Sequence, residues 1–161
     1  MNAILPTTII RDEFDWLPVP LPGAEGVSFK VLKADTETKQ VVLRARFSPG
    51  SRMPRHFHFC RAVAYTLSGE WSYDEGHFKA GDMAYEVEGN THTPWSDEGA
   101  ELLLVFRSDQ EAFLDNYLAD GSATIRLGMK FFVAYEGKSL AEAAMIDLHS
   151  LIELLPPPSA Q

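Results

Sequence analysis

One cysteine in 161 residues, Cys60, excludes an internal disulfide, and the chain reads as suited to a reducing cytoplasm. Positive charge is also scarce. Lys and Arg total 14 against 23 Asp and Glu, a formal net charge of −9. That balance argues against nucleic acid and against an anionic membrane surface, because both are held mainly by clustered Lys and Arg. No uninterrupted apolar run approaches the roughly 20 residues of a membrane helix; the longest, near the C-terminus, is broken by Asp147, His149 and Glu153. The first sixteen residues lack a basic segment followed by an apolar stretch and a small-residue cleavage site, so they do not read as a secretory signal. What the chain does have is a 45% apolar fraction, enough for one folded domain with a core.

Residues 1–26 hold Pro6, Pro18, Pro20, Pro22, Gly23 and Gly26, a composition suited to an extended arm. From Val27 to Phe106 short apolar runs of strand length alternate with turn signals such as Ser48-Pro49-Gly50, Ser68-Gly69 and Ala80-Gly81-Asp82. That rhythm predicts an all-β barrel or sandwich. Val41, Leu43, Ala45 and Phe47 alternate with Arg44 and Arg46, which puts the apolar residues on one strand face and both arginines on the other. A hairpin is expected over 112–127, turning at Asp120-Gly121. The only helix expected starts at the capping box Ser139-Leu140-Ala141-Glu142 and carries an apolar stripe from Leu140 to Leu155, ending at three prolines. The organisation read from the chain is an arm (1–26), a barrel (27–135) and a C-terminal helix and tail (136–161).

Three of the five histidines stand at spacings that carry chemistry. His56 and His58 are separated by one residue, so on a strand they share a face and can share an ion. The string around them is Gly50-x5-His56-x-His58 with Gly69 eleven residues on; a second string reads Gly81-x5-Val87-x-Gly89-x2-His92. Together they resemble the paired signature of the cupin superfamily, G-x5-H-x-H-x3,4-E-x6-G and G-x5-P-x-G-x2-H-x3-N. The resemblance implies a jelly-roll β-barrel and metal ligands at His56, His58 and His92. The motif glutamate falls on Ala62, the motif proline on Val87 and the final asparagine on Ser96. The ligand set expected is therefore histidine alone, three neutral imidazoles with open positions and an uncompensated ion charge.

A three-histidine cupin of this size resembles the 2,4'-dihydroxyacetophenone dioxygenase family and, more distantly, the acetylacetone-cleaving dioxygenases. Tyr65, Trp71-Ser72-Tyr73, Gly81-Asp82 and Glu86, six residues before His92, carry that likeness. It implies ferrous iron, with zinc or nickel as alternatives, O2, and cleavage of the carbon–carbon bond beside the carbonyl of a small ketone. It also implies that Glu86 and Tyr73 serve as polar residues around the metal, and it suggests a homodimer or higher homo-oligomer. Cys60 extends the row of His56 and His58 and could approach the ion. The competing readings are a non-catalytic zinc-binding sensor, similar to regulatory domains related to anti-sigma factors, and a redox-neutral metal-dependent isomerase or lyase.

Overall fold

In a computed structural model, residues 7–159 are described; the first six residues of the expected arm and the last two of the tail lie outside them. Thirteen strands follow one another among these residues. The first six are β1 (Leu17–Pro18), β2 (Glu25–Asp35), β3 (Gln40–Arg52), β4 (His56–His58), β5 (Arg61–Tyr73) and β6 (Gly76–Lys79). Then come β7 (Met83–Glu86), β8 (Thr91–His92), β9 (Trp95–Ser96), β10 (Ala100–Arg107), β11 (Ala112–Tyr117), β12 (Thr124–Gly128) and β13 (Ile152–Leu155). One sheet runs β1-β2-β3-β10-β5-β6, with β7 paired to β5 and β9 bridging β3 and β5. The other runs β13-β12-β11-β4-β8. The two enclose the core, and the all-β jelly-roll expected from the sequence is the architecture found.

The alternation in β3 does what the sequence predicts. Val41, Leu43, Ala45 and Phe47 are buried, whereas Arg44 and Arg46 lie on the outer face. That outer row seats the arm: Asp12 pairs with Lys30 and Arg44, and the Trp16 ring lies 4.1–5.6 Å from the Lys30, Arg44 and Arg46 cations. Glu101 on β10 pairs with both arginines.

Ser68-Gly69, expected to separate two strands, instead lies within the continuous β5. Leu102 pairs with Thr66 but Glu101 with Ser68, so Leu67 is an extra residue that bends the strand. Gly69 has φ +73°, and a Cβ there would stand 1.9 Å from the Gly99 carbonyl oxygen. No other residue fits that crossing.

The C-terminal region departs further from expectation. A helix not foreseen, α1 (Met129–Tyr135), packs Phe131 and Tyr135 against Phe29 of β2. The capping box forms: Ser139 Oγ accepts from the Glu142 amide and Glu142 Oε2 accepts from the Ser139 amide. The helix it starts, α2 (Leu140–Ala143), lasts one turn rather than running to Leu155. After a 3₁₀ turn at Leu148–Ser150, Ile152–Leu155 joins the open edge of β12, which satisfies that edge's backbone groups. Of the expected stripe, Leu140 is exposed, whereas Leu148, Leu151 and Ile152 pack on the core from the 3₁₀ turn and the edge strand instead of from one helix. Among the described residues no helix is long and apolar enough to cross a membrane.

Candidate metal centre and its cavity

β4 is only three residues long, and its alternation aims His56 and His58 inward while Phe57 turns out against Phe59. Two neighbours hold it. β11 pairs on one side, and on the other His92 of β8 is the direct cross-strand partner of His56. The Gly89 amide donates to the His58 carbonyl at 2.8 Å and the His58 amide to the Asn90 carbonyl at 2.9 Å, so the second motif is tied to the first by backbone alone.

The three histidines converge through one kind of atom. His56 Nδ1 lies 3.0 Å from the Pro54 carbonyl oxygen, which can only accept. That fixes the proton on Nδ1 and leaves Nε2 with its lone pair facing the other rings. Nε2 of His92 lies 3.0 Å from Nε2 of His56 and 3.2 Å from Nε2 of His58. All three side chains are buried, and their ligand atoms fall within 4.8 Å of one another. Burial disfavours the imidazolium form, lowering His56 to about 4, and lowering His58 to about 2 and His92 to about 3 with added repulsion from neighbouring rings. Neutral, converged imidazole nitrogens are the donor set that a divalent transition ion takes, so the residues present fit a metal.

The site also contains a carboxyl group. Glu86 on β7 is 3% exposed, with one oxygen 3.6 Å from His58 Nε2 and the other 3.8 Å from His92 Nε2. It stands directly across from Ala62 on β5, the position where the motif glutamate is missing. The expectation of a site without a compensating carboxylate is corrected accordingly. Burial raises the Glu86 pKa to about 8 in the absence of an ion. A cation among the imidazoles would pull it back down.

Tyr73 is placed beside the site by its ring. It stacks on His92 at 4.4 Å between centroids and 16° between planes, and burial pushes its hydroxyl up to about 12, so the phenol stays protonated. Cys60 Sγ lies 3.6 Å from His58 Nδ1, on the side of the ring away from the converged nitrogens, and burial raises its pKa too. Tyr65 is on the outer face and partly exposed, and His77 bonds to Ser72 and Glu70 at the surface.

A cavity of about 110 Å³ opens from the three histidines and Glu86 into the barrel between walls that include Phe29, Phe47, Leu102, Phe106, Phe131 and Phe132. Among the described residues no Lys, Arg or Asp lines it. Asn116 does, and sequence reasoning missed it: one amide inside an ordinary strand carries no signal until the register puts it opposite His56.

The family model described as a ChrR cupin-like domain matches residues 6–110 of this chain. A comparison with curated proteins finds no match. Among solved structures, an acetylacetone dioxygenase from Acinetobacter johnsonii superposes with TM-score 0.67 at 16% identity, over 84% of this chain and 96% of that one. The polyketide cyclase RemF from Streptomyces resistomycificus gives 0.55 at 21% identity, over 65% and 81%. A protein of unknown function with a cupin-like fold from Ralstonia eutropha JMP134 gives 0.54 at 29%, over 68% and 71%. At these identities the likeness to the dioxygenase and the cyclase is one of fold.

Proposed function

Because this chain belongs to the ChrR cupin-like family, and its cavity ends on three converged imidazoles and a carboxyl group, we propose that it is a metal-dependent dioxygenase of small ketones. The reaction adds one O2 across the carbon–carbon bond beside a carbonyl. That bond breaks, each new carbon end keeps one oxygen atom, and no external reductant is needed. His56, His58 and His92 would hold the ion, ferrous iron in this reading, which supplies a Lewis acid for the ketone oxygen and a path for electrons to O2.

The chain's own residues do the rest. Glu86, within 4 Å of two of the imidazole nitrogens, would take the proton from the carbon next to the carbonyl. Tyr73 fixes the plane of His92 by stacking on it and acts through that ring. The aromatic and aliphatic walls exclude water and admit an apolar body. The acetylacetone dioxygenase among the structural neighbours is the source of the reaction type, and the buried cavity meeting the histidines is the observation that carries it. Loading with ferrous iron under anaerobic conditions and then admitting 18O2 with a panel of hydroxyacetophenones and β-diketones tests this. One label in each product fragment is expected; a panel with no oxygen uptake sinks it.

A second reading, a zinc-binding sensor, draws on the same three buried, converged imidazoles, which hold zinc as readily as iron. Tightly held zinc with no oxygen uptake under any loading would favour it.

Self-association belongs to the same proposal. Tyr65, Leu67, Met83, Tyr85 and Val87 leave an exposed apolar face on β5 and β7 and just beyond, with Val63 opposite Tyr85 and Tyr65 opposite Met83. In a chain of net charge −9, such an uncharged face is where a second copy can meet the first without opposing like charges.

A further inference from the structure

Asn116 has half of its amide committed and half free. Its Nδ2 donates to the Ile125 carbonyl at 3.3 Å, and a carbonyl can only accept, so the other end of the side chain must be the oxygen. That Oδ1 is buried and has no partner among the described residues, on a residue only 2% exposed. An acceptor left this way costs free energy unless something donates to it.

Its position says what that something is. Asn116 on β11 lies directly across from His56 on β4, and residues opposite one another on antiparallel strands project from the same face. Asn116 also lines the cavity that the histidines and Glu86 close. The other polar handle in the wall is already used, since Trp71 Nε1–H donates to Thr66 Oγ1 at 2.8 Å. Among the described residues no Lys or Arg stands in the lining, so positive charge at the site would come from an ion among the histidines alone. A cavity of about 110 Å³ is on the scale of one that takes up a single small ring.

Resting on the ketone reading above, we infer that Asn116 is a specificity residue: its Oδ1 accepts a hydrogen bond from a hydroxyl on a neutral substrate of about one ring, whose carbonyl end faces the histidines. A ligand that offers only an acceptor at that point leaves two lone-pair oxygens facing each other and is rejected. A carboxylate at that point is rejected for the same reason.

Calorimetric titration of the zinc-loaded protein, without turnover, reads this directly. The probes are acetophenone, its 2-, 3- and 4-hydroxy derivatives and the matching methoxy derivatives. At least one hydroxy isomer should bind about tenfold more tightly than its methoxy counterpart. In Asn116→Leu and Asn116→Ala that ratio should fall to about twofold or less, with acetophenone itself little changed. If neither variant folds, the hydroxy-to-methoxy ratio of the wild type decides alone. Equal binding of every hydroxy and methoxy pair, survival of the ratio in the folded variants, or no binding of any probe overturns the inference. Oxygen uptake separates it from the reaction: a hydroxyl preference without uptake leaves Asn116 standing and sinks the dioxygenase, and uptake without a preference does the reverse.

Discussion

Glu86 and Ala62 are cross-strand partners, so the carboxyl group that the first motif lacks on β5 arrives from β7, one strand away. Both are buried, and the alanine's single methyl leaves room for the glutamate to reach within 4 Å of two histidines. Glu86→Ala should weaken metal affinity by about 10- to 100-fold. Restoring a carboxylate on the other strand, in the double variant Ala62→Glu with Glu86→Ala, should recover part of that loss. Competition against a chromophoric chelator measures both, and an unchanged affinity in Glu86→Ala would count against a role for the carboxylate.

The pH dependence of the metal-free protein separates the two kinds of buried group. The histidines have folded pKa values well below the usual 6.5, so the unfolded chain binds more protons and stability falls as pH drops below about 6.5. Glu86 is shifted the opposite way, to about 8, so its contribution is complete below about 4.5 and is lost as pH rises through 8. Urea midpoints should therefore show metal-free Glu86→Gln more stable than wild type at pH 8, with the gap closing toward pH 5. A gap that widens toward pH 5 would contradict the assignment.

For Tyr73 the ring, rather than the hydroxyl, is predicted to matter. Tyr73→Phe keeps the stack on His92 and should leave metal affinity within about threefold, whereas Tyr73→Ala should lose on the order of tenfold. Loss of turnover in Tyr73→Phe with metal fully retained would instead point to chemistry at the phenol.

The apolar outer face gives a prediction about assembly. Sedimentation should find wild-type chains associated, and Met83→Glu with Tyr85→Glu should shift them to monomers, since these residues are more than half exposed in the single chain. A monomeric wild type would rule this face out.

Much of this was legible in the sequence, and the reasons are local. Alternation in Val41–Phe47 gave a strand because one face is buried and the other is not. The motif spacings placed His56, His58 and His92 together because short paired strands leave little freedom in where a histidine can point. What escaped depends on pairing between distant segments. Phe131, Phe132 and Tyr135 are residues common in strands, yet they form a helix because Phe29 of β2 receives Phe131 and Tyr135 while Phe106 and Phe113 receive Phe132. Ile152–Leu155 continues a helical stripe in sequence but becomes a strand because β12 has an open edge. Glu86 and Asn116 acquire their meaning only from the register that sets them opposite Ala62 and His56.

The most direct test is the metal stoichiometry of the folded chain at neutral pH, measured by titration with ferrous iron and with zinc for wild type and for His56→Ala, His58→Ala and His92→Ala. One ion per chain, lost or greatly weakened in each variant, is the predicted result. Full occupancy in all three variants, or no ion held by folded wild type, would contradict the account.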